Sequence, residues 1–278
     1  MNLKKVLTIQ DVSCLGKCSL TAALPVLSAM GIETCVIPTA VLSTHTGGFT
    51  GYTYRDLTDD ILPITEHWKK YNVNFNAVYT GYLGSIHQIQ IVKSIFRSFG
   101  DAMIFVDPVM GDNGKLYAGF TPEFADEMRL LCETADVLAP NMTEAAFLLG
   151  FDYDGSDYGE ARAKEVVKEL SYLGAKKIIL TGVSFSGNEY GAAFYDNEKD
   201  VFGCCMNEYI NGRFLGTGDL FSSAVSGALV LGKTLEEACR IAVDFVLHSI
   251  KATLDCADTH WYGVNFESAL PSLWESIK

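Results

Sequence analysis

Two glycines and an aspartate near the C-terminus carry the clearest chemical signal in this sequence. Gly216 and Gly218 flank a threonine, Asp219 follows directly, and the small and apolar residues 220–231 predict a helix that begins there. Glycines allow the backbone to approach a ligand closely, and the free N–H groups at a helix start suit a bound phosphate. A carboxylate beside that phosphate is expected to orient a hydroxyl group and accept its proton during phosphoryl transfer. Because a helix N-terminus favours negative charge, we expect Asp219 to be ionised and a weak base.

The same motif has a simpler interpretation. An acidic residue in the first helical turn is ordinary helix stabilisation, and Gly-x-Gly before a helix is common. The motif differs from the dinucleotide fingerprint, because a third glycine is missing and the first strand lies far away in the sequence. We therefore expect neither a dinucleotide-binding enzyme nor a P-loop enzyme.

Small, hydroxyl-bearing or acidic residues follow each of the first six predicted strands. They occupy segments 10–13, 42–48, 80–82, 107–112, 140–144 and 181–182. Because the carboxyl ends of parallel strands meet at one edge of a sheet, we expect these segments to share a rim. Within them, Asp107 and Asp112 are the first and last residues of a segment that contains Pro and Gly. This segment fits either a solvated turn or a Mg²⁺ site.

Several further rim residues have both a structural and a functional interpretation. Asn141 and Glu144 have the spacing of a capping box, and Glu144 also suits the water shell of a metal. His45 is more typical of an exposed loop residue than of a proton-transfer group, whereas Thr46 suits a hydrogen bond to a polar ligand ring. Tyr82 is either a ligand-stacking ring or an ordinary aromatic residue of the rim.

Composition limits the classes of partner. The 278 residues are 49% hydrophobic, and no linker, repeat or low-complexity tract divides them, so we expect one domain spanning residues 1–278. The formal net charge of −13 disfavours nucleic acids and anionic membranes. ATP remains compatible with such a chain where magnesium and backbone N–H groups contact the phosphates.

Cysteine usage and hydropathy indicate the compartment. The 8 cysteines include no Cys-x-x-Cys pair, which favours reduced thiols and disfavours zinc. We expect no transmembrane helix, since no run of about 18 uncharged apolar residues is present, and the N-terminal segment is typical of a strand rather than a signal peptide. The sequence therefore predicts a cytoplasmic protein.

Apolar runs of strand length alternate with longer helical patterns. The predicted strands are 6–9, 34–38, 77–79, 102–106, 137–139 and 177–180, with an antiparallel pair at 191–195 and 201–206. The predicted helices are 19–30, 85–99, 122–131, 159–173, 220–231 and 235–254, and a C-terminal amphipathic helix begins near residue 266. This alternation predicts an α/β fold, a three-layer α/β/α sandwich around a mostly parallel sheet.

Taken in order, the rim segments resemble the pyridoxal kinases of the ribokinase-like superfamily. The resemblance rests on Ile9-Gln10, His45-Thr46-Gly47, Thr80-Gly81-Tyr82, Asp107-Pro108-Val109-x-Gly111-Asp112, Pro140-Asn141-x-x-Glu144 and Gly216-Thr217-Gly218-Asp219-Leu220-Phe221. It covers about residues 7–254, and the order and spacing of the motifs make it specific.

The resemblance implies ATP-dependent phosphorylation of the 5′-hydroxymethyl group of pyridoxal, pyridoxine or pyridoxamine. It makes Asp219 the catalytic base and the preceding Gly216, Thr217 and Gly218 an anion hole. The remaining assignments are Asp107, Asn141, Glu144 and Thr181 for ATP, Asp107, Asp112 and Glu144 for the metal, and Asp11, Cys18, Thr46 and Tyr82 for the substrate. The family uses Mg²⁺ with a monovalent cation (K⁺ or Na⁺), forms homodimers and covers the nucleotide with a flap, for which residues 112–119 with Tyr117 are the candidate.

The chain departs from the family at one position, and three competing functions stay open. Many relatives have serine where this chain has Asp11, and a carboxylate facing a pyridine nitrogen would favour the protonated ring. The alternative is that Asp11 faces solvent or caps the next helix. Hydroxymethylpyrimidine kinases of the same superfamily resemble the chain broadly but often have cysteine in place of Asp219. A sugar or nucleoside kinase is the second competing function, and a non-catalytic binder of vitamer or nucleotide is the third.

Overall fold

The secondary structure comes from a computed structural model that describes residues 3–156, 158–185, 187–257 and 260–278. Within these residues, the strands are β1 (Lys5–Ser13), β2 (Glu33–Leu42), β3 (Tyr54–Asp56), β4 (Ala77–Thr80), β5 (Met103–Val106), β6 (Gly111–Asp112), β7 (Lys115–Leu116), β8 (Val137–Leu138), β9 (Lys177–Val183), β10 (Glu189–Asp196) and β11 (Val201–Glu208). The helices are α1 (Leu20–Ala29), α2 (Thr58–Lys69), α3 (Ile86–Ser98), α4 (Pro122–Cys132), α5 (Met142–Leu149), α6 (Glu160–Ser171), α7 (Thr217–Val230), α8 (Leu235–Leu254) and α9 (Leu270–Ser276).

The central sheet has the strand order β11-β10-β9-β8-β5-β4-β1-β2-β3. The strands from β9 to β2 in this order pair in parallel, and β10, β11 and β3 join the edges by antiparallel pairing. Because parallel strands end at the same edge, the segments that follow β1, β4, β5 and β8 meet along one rim. The strands β6 and β7 form a separate small hairpin above that rim.

Helices cover both faces of the sheet. On one face, α1, α7, α8 and α9 bury side chains such as Val26, Val225 and Phe245. On the other face, α2 to α6 bury a second apolar layer that includes Ile89 and Leu170. Throughout the described part of the chain, no helix combines the length and apolar character needed to cross a bilayer.

The predicted α/β class is confirmed, and several element bounds differ from the predicted ones. Helix α8 begins and ends where predicted, but β1 continues past Ile9 to Ser13 and therefore contains Asp11. A register shift between Gln10 and Val12 accompanies this extension, as in a β-bulge. Asp11 is thus held by strand pairing rather than by a loop.

Short elements were missed because their signals are weak or local. Strand β3 and helix α2 had no prediction, and α2 contains Pro63, which interrupts a helical pattern. The hairpin of β6 and β7 turns at Asn113 and Gly114, which both have positive φ angles of 51° and 75°. An Asn-Gly pair of this kind is the usual sequence of a tight hairpin turn and was readable in the sequence.

Candidate active site

The start of helix α7 leaves its first backbone N–H groups free for a ligand. Gly216 is the N-cap, has a φ angle of +83° and offers no side-chain hydrogen bond to the helix. A Cβ atom at this position would lie 1.9 Å from the carbonyl oxygen of Lys17, so only glycine fits. Thr217 donates a hydrogen bond of 3.2 Å from its hydroxyl to the Phe214 carbonyl, which fixes the approach of the chain to the helix.

Asp219 lies in the first turn of this helix and retains part of its surface in contact with solvent. Burial of the carboxyl group among protein atoms raises its pKa to about 7, the neighbouring charge of Asp11 raises it further, and the backbone N–H of Ser19 lowers it. The expectation that the helix start makes Asp219 an ionised, weak base is therefore wrong, because desolvation outweighs the local field of the helix. A carboxyl group with a pKa near neutrality suits proton transfer better than an ordinary aspartate.

Two further buried carboxyl groups extend from Asp219 into the protein. Asp107 follows β5, is only 8% exposed and accepts a 2.7 Å hydrogen bond from the Ser222 hydroxyl. Burial and the charge of Asp219 raise the pKa of Asp107, and burial with the charge of Asp107 raises the pKa of Glu144. A set of buried acidic groups with raised pKa values is suited to a ligand that brings positive charge.

Glu144 also closes a helix cap, as predicted. Its carboxylate accepts hydrogen bonds from the backbone N–H groups of Asn141 (2.9 Å) and Met110 (3.1 Å), and the Asn141 side chain accepts one from the Glu144 N–H (2.9 Å). The Asn141 amide in turn donates to the Gly111 carbonyl (2.9 Å). The capping box of α5 therefore joins the end of β8 to the segment after β5.

Thr181 and Asn141 lie side by side on neighbouring strand ends. The two residues form an isolated parallel bridge, in which the Thr181 N–H donates to the Pro140 carbonyl at 2.9 Å. The next residue, Gly182, has a φ angle of +68°, which turns the end of β9 away from its strand path. The structure thus brings the predicted nucleotide residues Asp107, Asn141 and Thr181 to one edge.

Asp112 differs from the other predicted metal residues. It is exposed on the hairpin of β6 and β7, and its two carboxylate oxygens accept hydrogen bonds of 2.8 Å from the backbone and side chain of Asn113. Its oxygens already stabilise the turn, and its role as a metal ligand stays a prediction. The hairpin is joined to α5 by a 2.9 Å hydrogen bond from the Gly114 N–H to the Thr143 hydroxyl.

Tyr117 follows this hairpin and faces the buried acidic groups. Burial raises the pKa of its phenol, and the charges of Glu144, Asp112, Asp107 and Asp219 raise it further. The phenol is therefore a hydrogen-bond donor at neutral pH. The role of residues 112–119 as a flap over the nucleotide stays a prediction.

Asp11 and Cys18 both lie within the electrostatic reach of Asp219. Asp11 is 4% exposed, accepts a 2.9 Å hydrogen bond from the Ser13 hydroxyl, and has a pKa raised by burial. Burial and the charges of Asp219 and Asp11 also raise the pKa of the Cys18 thiol. The thiol is therefore protonated at neutral pH and a weak nucleophile.

Tyr82 and Thr46 are placed differently from each other. The half-buried Tyr82 ring stacks on Phe120 with centroids 5.6 Å apart, and burial with the nearby charge of Asp11 contributes to a raised pKa of its phenol. Thr46 is exposed on the loop after β2.

His45, which was interpreted as an exposed loop residue, is instead 7% exposed and hydrogen-bonded through both ring nitrogens.

Two residues of the site were not predicted from the sequence. Ser222, the partner of Asp107, lies on the same helical face as Asp219, three positions further on, which is the spacing of side chains that share a face. Ser19 caps α1 with a φ angle of 49°, and the strained backbone directs its N–H toward Asp219. The N-terminal ends of α1 and α7 therefore both face this carboxylate.

The cavities and the acidic groups are distinct features. Among the described residues, no group of three or more His, Cys, Asp or Glu side chains is arranged to hold a metal. A cavity of about 300 Å³ lies next to the chain that enters α7 and is lined by Phe214, Leu215 and Trp261, among others. Asp219 is not part of its lining.

A parallel sheet whose rim carries a free helix start beside buried carboxyl groups is the architecture of a small-molecule kinase. The sequence model of one family of such enzymes, phosphomethylpyrimidine kinase, matches residues 16–263, and the chain belongs to this family.

Solved and curated relatives agree with this assignment. A Bacteroides thetaiotaomicron protein, provisionally named a phosphomethylpyrimidine kinase and crystallised with pyridoxal, is 38% identical with a TM-score of 0.92, covering 98% of this chain and 96% of that chain. Pyridoxal kinase from Lactobacillus plantarum is 30% identical with a TM-score of 0.89, covering 99% and 98%. A curated pyridoxal kinase of Dictyostelium discoideum is 28% identical over 268 residues, which are 90% of this chain and 86% of that protein. The predicted resemblance to pyridoxal kinases is thereby confirmed.

Proposed function

We propose that this protein transfers the γ-phosphoryl group of ATP to the 5′-hydroxymethyl group of pyridoxal, pyridoxine or pyridoxamine. The observation that carries the proposal is the position of Asp219 in the first turn after the uncapped start of α7, where burial of its carboxyl group raises the pKa to about 7. The likeness to a relative crystallised with pyridoxal supports the choice of substrate.

In this reaction the hydroxymethyl oxygen forms a bond to the γ-phosphorus, and the bond from that phosphorus to the bridging oxygen of ADP breaks. Asp219 orients the hydroxyl group and accepts its proton as the new bond forms. The free N–H groups of Gly216, Thr217 and Gly218 neutralise charge on the transferred phosphoryl group. ADP leaves with the electrons of the broken bond.

Asp107 and Glu144 are the residues that would hold Mg²⁺. They are buried, burial raises the pKa of both carboxyl groups, and they offer the oxygen atoms that Mg²⁺ prefers. When bound, the ion would neutralise charge on the phosphates. Asp112 would join this set if the flap moved, and Asn141 and Thr181 would contact the nucleotide.

Asp11, Cys18, Thr46 and Tyr82 would bind the vitamer. Asp11 and Cys18 lie within the electrostatic reach of Asp219, and Tyr82 within that of Asp11. We also propose, from the resemblance to pyridoxal kinases, a monovalent cation (K⁺ or Na⁺) beside Mg²⁺, a homodimer and a cytoplasmic location.

The decisive experiment mixes the pure protein with ATP, Mg²⁺ and pyridoxal and follows the absorbance of pyridoxal phosphate. Phosphorylation of pyridoxal supports the proposal, whereas tight binding without product would indicate a non-catalytic binder. Parallel reactions contain pyridoxine, pyridoxamine and hydroxymethylpyrimidine. The family description favours the last of these as a second candidate substrate, and faster turnover of the pyrimidine than of any vitamer would make it the function.

A further inference from the structure

His45 joins two parts of the chain that are distant in sequence. Its Nε2 atom lies 2.8 Å from the carbonyl oxygen of Tyr262, and its Nδ1 atom lies 3.1 Å from the backbone nitrogen of Gly47. The Gly47 N–H can only donate, so Nδ1 accepts and the ring proton is on Nε2, which donates to Tyr262. The imidazole is therefore a neutral group with both nitrogens occupied and is unsuited to transferring a proton.

Aromatic packing strengthens the same connection. The ring of Phe49 lies 4.5 Å from the ring of Trp261 and 5.1 Å from the imidazole of His45, measured between centroids. A Cβ atom at Gly48, whose φ angle is +97°, would lie 2.9 Å from the Trp261 ring. Residues 260–264 thus lie directly against the loop of residues 43–49.

The same C-terminal segment supports the loop that leads into α1. A Cβ atom at Gly263 would lie 2.7 Å from the Lys17 side chain, and Lys17 forms an ion pair of 2.6 Å with Glu267. The carbonyl oxygen of Lys17 is the atom that excludes any side chain at Gly216. Residues 260–267 therefore contact two loops that carry predicted substrate residues, and one of these loops packs against the start of α7 through Lys17.

We propose that His45 is a positioning residue that fastens the substrate loop, residues 43–49, to the C-terminal segment 260–264. The proposal rests on the proposed function for its kinetic consequence, since Thr46 adjoins His45 on this loop. If the loop is already ordered in the free protein, vitamer binding does not have to supply the free energy of ordering it. Loss of the connection to Tyr262 should therefore weaken vitamer binding more than it slows the chemical step.

Two substitutions separate the two hydrogen bonds of the ring. In His45→Asn the amide oxygen can take the place of Nδ1 and keep the local bond from Gly47, but the side chain is too short to reach Tyr262. In His45→Gln the amide nitrogen can take the place of Nε2 and keep the bond to Tyr262. Because His45→Asn loses the bond to Tyr262, we expect its KM for pyridoxal to rise about tenfold. The KM for pyridoxal should change little in His45→Gln, and the KM for ATP should change little in both variants.

Hydrogen–deuterium exchange of the free protein tests the connection without any substrate. We expect faster exchange in peptides that cover residues 43–49 and 260–264 in His45→Asn, and nearly parental exchange in His45→Gln. A parental enzyme that does not phosphorylate pyridoxal would refute the proposed function, but the exchange result would still decide the connection. Trp261→Ala is the second variant if His45→Asn does not fold, and it should shift the KM for pyridoxal in the same direction.

Either of two results would overturn the proposal. If His45→Asn kept the parental KM and exchange while His45→Gln did not, the imidazole would only stabilise its own loop. A large fall in kcat in both variants with unchanged KM values would indicate a catalytic role instead.

Discussion

Ser222 donates a 2.7 Å hydrogen bond to Asp107, which joins the second turn of α7 to the end of β5. The bond connects the helix that carries Asp219 to the acidic group proposed to hold the metal. It also lowers the pKa of Asp107, against the larger effect of burial. This side-chain contact thus fixes the position of the proposed base, Asp219, relative to the proposed metal residue, Asp107.

Removing this contact should affect metal use before it affects the fold. In Ser222→Ala we expect the pKa of Asp107 to rise further and the half-saturating Mg²⁺ concentration to increase several-fold, because leaving a buried acceptor unpaired costs about 1–3 kcal/mol. Magnesium titration of the phosphorylation rate measures this. Ser226→Ala is the control, since that buried hydroxyl donates only to the Ser223 carbonyl. Equal effects of the two substitutions would contradict the role of Ser222.

Gly216 and Gly218 form a matched pair for testing the phosphate site. An alanine Cβ at position 216 would meet the Lys17 carbonyl at 1.9 Å, whereas at position 218 it would meet no atom within 4 Å. We expect Gly216→Ala to lose stability by about 1–3 kcal/mol or more, since its backbone also has positive φ. Gly218→Ala should melt near the parental temperature but bind ATP several-fold more weakly, because its methyl group enters the space proposed for phosphate. Parental ATP affinity in a stable Gly218→Ala would argue against an anion site there.

The raised pKa of Asp219 predicts a pH dependence of stability. Its pKa rises from 3.8 to about 7 on folding, so between these values the folded state keeps a proton that the unfolded state has lost. The stability associated with this proton is complete below pH 3.8 and is lost as the pH rises through about 7. Melting temperatures of the ligand-free protein should therefore fall less over this range in Asp219→Asn than in the parent. The exposed Asp101→Asn serves as the control, and identical pH profiles of parent and Asp219→Asn would contradict the burial of this carboxyl group.

Asp11 is predicted to set the preference among vitamers. It is almost fully buried, its charge acts on the Cys18 thiol, and it replaces the serine found in many pyridoxal kinases. A carboxylate favours a protonated ring nitrogen, so Asp11→Ser should change the KM values for pyridoxal, pyridoxine and pyridoxamine relative to one another more than it changes kcat. Steady-state kinetics with all three vitamers measures this. An unaltered ranking of the KM values would refute the contact with the ring.

The sequence predicted the rim of the site because its motifs are local. Gly216, Asp219, Asp107 and the capping box of Asn141 and Glu144 each show their backbone context within a few residues, and the structure brings all of them together. The alternation of strands and helices was sufficient to predict the α/β class. Strand β3 escaped because its 3 residues show no clear periodicity, whereas the hairpin at Asn113 was missed although its Asn-Gly pair was readable.

Tertiary effects could not be predicted from local patterns. The contact between Asp107 and Ser222 spans 115 residues, and the pKa of Asp219 depends on burial by distant segments rather than on its own helix.

Residues 227–234 match the sequence pattern Gly-x-x-x-x-Gly-Lys-Thr of a phosphate-binding loop. In the structure this match begins in the last turn of α7, where Gly227 packs against Met30, so it does not follow a strand as a P-loop does.

The turnover number of Asp219→Asn tests the central claim most directly. Asparagine keeps the shape of the side chain but cannot accept the hydroxyl proton, so we expect kcat for pyridoxal phosphorylation to fall by about 10²–10⁴-fold. ATP affinity, measured by calorimetry on the same variant, should stay within a few-fold of the parent. A variant that keeps a kcat within a few-fold of the parental value would contradict the assignment of Asp219 as the base.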